Sequence, residues 1–250
     1  MISEERWVSA HHSSLITDHF SMLPAPLSNL LVLSPHCDDA VLACGEMLEA
    51  HPGSVVATVF AGCPPAGAPL TEWDRAAGFQ AGDDVMGARR AEDLAALSLL
   101  GATPQWLDFL DDQYPSSHAD ADVRRALDGL IRARQPAALV VPLGLFHRDH
   151  RTVHEAAMEV ALDHRDRTWV LYEDVNYRRI PGLTAQRLHS LEAKGAAITP
   201  VSFPVRSPSP RKMQAVQCYR SQLRALLSHG RPGYADAFAA ERYWRVAWNR

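Results

Sequence analysis

The sequence predicts an α/β protein with a Rossmann-like, doubly wound and mainly parallel sheet between two layers of helices. Short runs of apolar and β-branched residues alternate along the chain with longer segments of helical periodicity, which is the pattern of βαβ units. Crossovers between parallel strands are right-handed, and this leaves few layouts for the sheet. We therefore expect the strand order 3-2-1-4-5, counted along the chain, with extra C-terminal strands and a three-layer αβα architecture.

The first predicted strand and helix follow residues 1–27, which we interpret as an N-terminal extension without clear periodicity. Residues 30–34 (LLVLS) are short, apolar and followed by a proline, as in a buried strand. Residues 39–51 place apolar side chains at helical spacing, with acidic residues at the start, where negative charge suits a helix. Residues 54–61 (SVVATVFA) are apolar and β-branched and predict the second strand.

Residues 61–83 are rich in Gly, Pro and Asp and too long for an ordinary connection, so we expect an active-site loop there. An amphipathic helix is predicted over 85–101, closed by Gly101. The alternation then continues, with strands predicted at 104–111, 137–143, 168–174 and 197–205 and helices at 122–135, 148–164 and 210–229.

Composition limits the function classes. The 250 residues carry a net charge of -4, which gives no reason to expect a nucleic-acid partner. A chain of this length predicts one domain, spanning 1–250. No apolar run approaches the roughly 20 residues that span a bilayer, and no secretory signal is visible. Four cysteines without a dense framework favour reduced thiols in a cytoplasmic protein. The oligomeric state is left open, with a homo-oligomer as one alternative.

Clusters of His and Asp follow two strands that the expected order makes neighbours. His36, Asp38 and Asp39 follow the first strand, whereas His147, Asp149, His150 and His154 follow the fourth. Ligands bind at such a switch point, outside the carboxyl ends of the strands. Imidazole nitrogen with carboxylate oxygen suits a borderline divalent cation such as Zn²⁺, and three protein ligands with an open position are typical of a hydrolytic site. Taken singly, each of these residues is as well explained as a helix cap or a core residue.

The motifs formed by these residues resemble those of the PIG-L/LmbE-like family of metal-dependent N-acetylglucosamine-type deacetylases. The family's His-Pro-Asp-Asp-Glu and His-x-Asp-His runs correspond here to PHCDDA (35–40) and HRDH (147–150). Weaker similarity extends over roughly 29–245 and includes RRAEDLAALSLLGA, TEWDRAAGF, YRSQ and ERYW.

The resemblance implies a role for each matching residue. It makes His36, Asp39 and His150 the ligands of Zn²⁺, or of Fe²⁺ or another first-row divalent ion. Asp38 would be the general base that takes a proton from water, and His147 the acid or electrophile that faces the oxyanion as an imidazolium. Asp149 would orient His147. Arg89 would contact the sugar, and Trp73 is a candidate for stacking on it, although anchoring of the loop explains Trp73 equally well. The substrate would be a small amino-sugar derivative that loses its N-acetyl group.

Several positions depart from the family pattern or lie outside its motifs. Cys37 replaces the usual Pro, and Ala40 the usual Glu. Leu145 and Phe146 lie where some relatives place a Tyr that helps to hold the oxyanion, so that donor must come from elsewhere. Among the remaining residues, His154 is expected in an outer shell or exposed, Tyr172 and Glu173 near the pocket, and Arg90, His11, His12 and His51 at the surface.

Three other functions compete with de-N-acetylation. The first is an amidase that cleaves a larger amino-sugar thiol conjugate. The second is a sugar-binding relative without turnover, which the retained Asp38 and His147 disfavour. The third is a phosphoesterase, which commonly uses two metals and therefore needs more carboxylates than the two motifs provide.

Overall fold

The computed structural model describes residues 21–22, 29–115, 118–205 and 207–248, and these contain one eight-stranded sheet with helices on both faces. The strands are β1 (Ser21–Met22), β2 (Leu30–Ser34), β3 (Val55–Thr58), β4 (Thr103–Trp106), β5 (Ala138–Pro142), β6 (Thr168–Tyr172), β7 (Ala196–Ser202) and β8 (Tyr243–Trp248). The helices are α1 (Asp39–Ala50), α2 (Glu72–Ala77), α3 (Val85–Leu99), α4 (Asp120–Arg134), α5 (Arg148–Asp163), α6 (Leu183–Ala193), α7 (Pro210–Val216) and α8 (Arg220–Leu226), with 3-10 turns at Val175–Tyr177 and Ala235–Phe238.

The observed sheet confirms the predicted fold class. Its order is β4-β3-β2-β5-β6-β8-β7-β1, so the five strands of the expected 3-2-1-4-5 layout are adjacent and parallel. Strand β8 runs antiparallel between β6 and β7, which makes the sheet mixed at this side. The two residues of β1 pair with β7, and the rest of the N-terminal extension, including His11 and His12, lies outside the described residues.

Alternate residues of each central strand enter two separate cores, which explains why these strands are apolar on both faces. On β2, Leu30 and Val32 pack with α1, α3, α7 and α8, whereas Leu31 and Leu33 pack with α4, α5 and α6. All four side chains are buried. The sheet is thereby fixed between its two helical layers, and its carboxyl edge carries the polar residues.

Two predicted segments differ from the observed structure. The expected loop 61–83 contains α2, whose Thr71 and Asp74 form a reciprocal capping box with N···O distances of 3.0 Å. The single helix predicted over 210–229 is wrong, because the chain forms α7 and α8 with a break between them. The break buries Tyr219, whose hydroxyl donates to Asp93 at 2.8 Å. Helix α6 was not predicted, and of the expected extra C-terminal strands only β7 had a predicted range.

Candidate active site

The segment between β2 and α1 brings three predicted site residues to the carboxyl edge of the sheet. The Ser34 hydroxyl donates to the carbonyl of His36 at 2.6 Å and accepts from the amide of Ala40 at 3.0 Å, which fixes the turn. Asp38 occupies the N-cap position of α1 but makes no capping hydrogen bond, so its carboxylate remains available to the cavity. Asp39 is the first helical residue and turns back, accepting from the His36 amide at 2.9 Å.

The loop between β5 and α5 brings the second motif to the same edge. Gly144 has φ +75°, and a Cβ there would lie 2.5 Å from the Cβ of His154, so no other residue fits without displacement. The amide of Leu145 donates to Asp174 Oδ2 at 2.9 Å, which ties the loop to the end of β6. His147 is the N-cap of α5, and His150 lies in the first turns of that helix.

The donor atoms of His36, Asp39 and His150 converge. Asp39 Oδ2 lies 3.1 Å from His36 Nδ1 and 3.1 Å from His150 Nε2, and the three donor atoms lie within 4.8 Å of one another. Ligand atoms about 2.0–2.2 Å from a tetrahedral zinc are separated by about 3.3–3.6 Å, close to the spacing found here. All three residues are buried. The donor types and their spacing therefore fit a first-row divalent metal.

Each histidine of this triad has a carboxylate behind it. His36 Nε2 lies 3.0 Å from Asp149 Oδ2, and His150 Nδ1 lies 2.6 Å from Asp174 Oδ1. A ligating histidine usually donates its other N–H to a carboxylate or carbonyl, which fixes the ring and raises its basicity. The arrangement matches that requirement for both rings. Asp174 was not predicted as a site residue.

The position of Asp149 differs from the expected one. Its carboxylate contacts His36 and accepts from the Asp112 amide at 3.0 Å, whereas only its backbone N–H reaches His147, donating to Nδ1 at 3.2 Å. Because Nδ1 of His147 accepts this hydrogen bond, the ring proton lies on Nε2 in the neutral form. His147 can therefore donate from Nε2 without being an imidazolium.

Burial and charge together set the ionisation of the site in the absence of a cation. Burial would lower the pKa of His150, but the charge of Asp39 and the hydrogen bond to Asp174 outweigh it and raise the pKa to about 10. Burial would likewise raise the pKa of Asp39, but the neighbouring histidines hold it well below its usual range. Burial, followed by the charge of Asp39, raises the pKa of Asp38 to about 6. Burial and the charges of His36 and His150 lower the pKa of His147 to about 4.

Two further aspartates reach the site from the end of β4. Asp111 Oδ2 lies 3.9 Å from His36 Nε2, and Asp112 Oδ1 lies 3.7 Å from His147 Nε2. The crevice therefore contains more carboxylates than the two motifs provide. A signal was present in the sequence, because Asp111 ends the run predicted to be a strand, 104–111, and Asp112 directly follows it.

Arg89 and Trp73 both line the cavity and share one partner. Gln222 Oε1 accepts from Arg89 Nη2 at 2.9 Å and from Trp73 Nε1 at 3.0 Å. Arg89 is buried, pairs with Asp111 at 3.4 Å, and leaves its Nε without a hydrogen-bond partner among the described residues. The guanidinium of Arg231 lies 5.2 Å over the Trp73 ring and covers one of its faces.

These side chains surround a cavity of about 790 Å³. The polar residues of its lining include His36, Asp38, Asp39, Asp111, Asp112, His147 and His150. The aromatic and apolar residues of its lining include Trp73, Phe146, Tyr177, Ile180, Pro181 and Leu226. Pockets of roughly 300–1,000 Å³ accommodate drug-sized ligands, so this cavity has room for more than a single sugar ring.

Several secondary expectations are wrong. His154 is fully buried and hydrogen-bonds to the carbonyl of Pro142 at 2.9 Å, which makes it part of the α5 packing. Tyr172 and Glu173, which lie at the end of β6 and were candidates to line the pocket, are buried and do not line the cavity. Arg90 does not simply face solvent: its Nε and Nη2 donate to the carbonyl of Ala61, and its Cζ lies 5.5 Å from the centroid of the Trp106 ring.

His51 and Cys37 are both buried. His51 is buried, with its Nδ1 2.8 Å from the carbonyl of Met47, and is not at the surface. Cys37 packs with Ala61, Met86 and Trp106, in line with a packing role behind the motif.

Comparison with known proteins identifies the family. Residues 31–161, just over half of the chain, match the model of the PIG-L family, described as GlcNAc-PI de-N-acetylase. The chain belongs to the PIG-L family. As a member of this de-N-acetylase family, it is a hydrolase that acts on amide bonds. A search of curated proteins found no significant match.

Solved structures show the same fold over most of the chain. The deacetylase of the A40926 pseudoaglycone has 25% identity and a TM-score of 0.70, covering 88% of this chain and 98% of its own. A deacetylase–teicoplanin complex from teicoplanin biosynthesis has 25% identity and a TM-score of 0.66, covering 88% and 99%. The 4-carboxy-2-hydroxymuconate hydratase of Pseudomonas putida KT2440 is 18% identical with a TM-score of 0.55, covers 89% and 97%, and shows the fold alone.

No helix in the described part of this PIG-L family member is long and apolar enough to cross a membrane.

Proposed function

We propose that this PIG-L family member is a zinc-dependent hydrolase that removes the N-acetyl group from an N-acetylated amino sugar carried as a glycoside. The observation that supports the proposal is the buried triad of His36, Asp39 and His150, with the uncapped carboxylate of Asp38 beside it in the cavity. The deacetylases of A40926 pseudoaglycone and teicoplanin biosynthesis support the acyl group and the glycosidic nature of the substrate.

His36, Asp39 and His150 would hold the metal, through Nδ1, Oδ2 and Nε2 respectively, since these atoms face one another. When bound, such an ion lowers the pKa of a coordinated water to about 7 and polarises an amide carbonyl. Zinc is favoured by the mixed imidazole and carboxylate donor set, and Fe²⁺ accepts the same ligands. Asp149 and Asp174 would hold the two imidazole rings in ligating orientation.

Asp38 would accept the proton of the attacking water. Its carboxylate lines the cavity next to a predicted metal ligand and makes no capping hydrogen bond that would compete for its lone pairs. A positioned base of this kind contributes about 10²–10⁴-fold to the rate of a proton transfer. Asp38 could then pass the proton to the departing amine.

His147 would stabilise the oxyanion of the tetrahedral intermediate from Nε2. The ring lines the cavity, and its Nδ1 accepts from the amide of Asp149, so the donor N–H faces away from the helix. A neutral imidazole donor suffices for this role and needs no protonation before each turnover.

Tyr177 would supply the second oxyanion donor, in place of the tyrosine that Leu145 and Phe146 do not provide. Its ring lies 5.3 Å from that of His150, centroid to centroid, and lines the same cavity. Its hydroxyl has no hydrogen-bond partner among the described residues. Burial, followed by the charges of Asp39 and Asp174, raises the pKa of Tyr177 well above its usual range, so the phenol stays protonated.

The proposal is tested with the purified protein, stripped of metal and then reloaded with Zn²⁺ or Fe²⁺. N-acetylglucosamine glycosides serve as substrates, and acetate and free amine are measured separately. We expect stoichiometric acetate and amine from the metal-loaded protein and neither from the stripped protein. Release of amine with a larger acyl fragment from a thiol conjugate, but no acetate from the glycosides, would favour the amidase alternative. Equal activity with and without metal would overturn the proposal.

A further inference from the structure

A second groove, of about 330 Å³, adjoins the active-site cavity, and Phe146 lines both. The groove is lined by Phe146, Arg151, Leu183, Gln186, Arg187 and Ser190. Phe146 immediately precedes His147, is 66% exposed, and has φ +57°, a left-handed conformation that bulky residues rarely adopt. Strain of this kind persists where the surrounding structure enforces it and is concentrated at functional sites.

The exposed ring of Phe146 is held in place from both sides of its loop. Arg187 Nη2 donates to the carbonyl of Gly144 at 2.6 Å, and the amide of Leu145 donates to Asp174. The ring itself packs on Tyr177 with 5.3 Å between centroids. An apolar surface fixed in this way, at the rim of a catalytic cavity, presents a flat platform to the part of the substrate that extends out of the cavity.

The charged side chains that line the second groove are all positive. Arg151 and Arg187 are the charged residues of its lining, and neither forms an ion pair within 4.0 Å with any described carboxylate. Burial lowers the pKa of Arg187; the charge of Glu155 acts in the opposite direction and that of Arg151 adds to the lowering. Two neighbouring guanidinium groups without a paired acid form a surface that favours an anion.

The cavity, by contrast, is lined by charges of both signs, the carboxylates of Asp38, Asp39, Asp111 and Asp112 and the guanidinium groups of Arg89, Arg179 and Arg231. An acidic group on a substrate meets positive charge alone in the arginine groove, so the groove orients the substrate. The sugar and its N-acetyl group then enter the cavity, and the acidic end remains outside.

We propose that the groove of Arg151 and Arg187 binds a carboxylate or phosphate group on the aglycone, whose connecting portion lies across Phe146. This inference rests on the proposed function, since it assumes an amino-sugar glycoside in the cavity. It makes the enzyme selective for acidic glycosides, with Arg151 and Phe146 as specificity-determining residues.

The test uses three aryl glycosides of N-acetylglucosamine that differ in one substituent: 4-carboxyphenyl, 4-phosphonophenyl and the neutral 4-carbamoylphenyl. The KM of each is measured with metal-loaded wild type, and the Kd of each with the Asp38→Asn variant, which permits binding without turnover. We expect the KM and Kd of at least one charged glycoside to be about 3–10-fold below those of the carbamoyl compound at low salt. The better of the two charged compounds identifies the group.

Arg151→Gln should abolish this preference, and the fold should tolerate the change because Arg151 is exposed and has no side-chain partner among the described residues. Arg132→Gln removes the same charge at the end of α4, at the opposite edge of the sheet, and should leave the preference intact. Equal KM and Kd values for charged and neutral glycosides, or an unchanged preference in Arg151→Gln, would overturn the inference. If a charged glycoside binds more tightly than the neutral one but no acetate is released, the proposed function is overturned and the groove remains supported.

Discussion

Nδ1 of His150 lies 2.6 Å from Oδ1 of Asp174, and both side chains are buried. The contact sets the ring so that its Nε2 faces Asp39, and the second oxygen of Asp174 accepts from the amide of Leu145. One carboxylate at the end of β6 therefore orients a predicted metal ligand and also fixes the loop that carries Phe146 and His147.

Asp174→Asn should weaken metal binding about 10–100-fold, the usual consequence of losing a carboxylate behind a ligating histidine. Asn can accept only one of the two hydrogen bonds that Asp174 now accepts, and it adds no charge to hold the ring. The zinc affinity is measured by competition with a chromophoric chelator. Asp166→Asn, an exposed residue just before β6, serves as the control and should bind zinc as wild type does. An Asp174→Asn protein with wild-type affinity would contradict this role.

The variant Asp149→Asn tests whether this carboxylate supports His36, which it contacts, or His147, as the resemblance implied. Because the carboxylate contacts His36, we expect the variant to lose about 10–100-fold in zinc affinity. If Asp149 instead acted through His147, the variant would retain zinc and lose only turnover. His147→Gln provides the comparison, since that residue is not among the predicted ligands and its loss should leave zinc affinity unchanged while lowering kcat.

Tyr177→Phe should lower kcat about 10²–10³-fold, the usual effect of removing one oxyanion donor, with little change in zinc affinity. The substitution retains the ring contacts with Phe146 and His150. Steady-state kinetics on an N-acetylglucosamine glycoside and metal analysis give both quantities. Tyr234→Phe removes a hydroxyl outside the cavity lining and should have wild-type kinetics. A kcat for Tyr177→Phe within about twofold of wild type would exclude the tyrosine as a donor.

Asp93 should make the stability of the fold depend on pH. It is buried between Trp106 Nε1 and the Tyr219 hydroxyl, each 2.8 Å from one of its oxygens. Burial raises its pKa from 3.8 to about 7, although the two hydrogen bonds act in the opposite direction. The folded protein thus binds more protons at this site than the unfolded chain between about pH 4 and pH 7, and the contribution of Asp93 to stability is lost as the pH rises through that window.

The free energy of unfolding of wild type and Asp93→Asn, from denaturant titrations at pH 5, 6, 7 and 8, measures this dependence. Wild type should lose stability relative to the variant between pH 5 and pH 7, by at most about 1.4 kcal/mol per pH unit for one proton, and the difference should level off above pH 8. A difference between the two proteins that does not change with pH would show that Asp93 titrates alike in both states.

The sequence was sufficient to predict the central sheet, because its strands are apolar on both faces and alternate with amphipathic helices. That the two clusters of His and Asp meet could be predicted for a related reason, since both motifs follow strands that the winding rule makes neighbours. The choice of His36, Asp39 and His150 as ligands came from the resemblance to the PIG-L/LmbE-like family. Helix α2 carried a signal that was not used, the Thr71 and Asp74 capping box.

The partners of the predicted site residues could not be predicted in the same way. Asp111 and Asp174 follow strands that reach the same edge, but their contacts with particular histidines depend on backbone turns. The left-handed residues Gly144 and Phe146 set the path of the loop before α5, and Asp149 consequently reaches His36 instead of His147. Such turns arise from the tertiary structure, so the resemblance assigned Asp149 to His147, whereas its carboxylate contacts His36.

The most direct test of the central claim measures zinc content and acetate release together for Asp38→Asn and wild type. If Asp38 is the base beside a site built by His36, Asp39 and His150, the variant should retain about one zinc per chain and lose about 10²–10⁴-fold in kcat. Asp166→Asn should match wild type in both quantities. Retained zinc with undiminished acetate release would contradict the role of Asp38, and a wild-type protein that binds no zinc and still releases acetate would contradict the account as a whole.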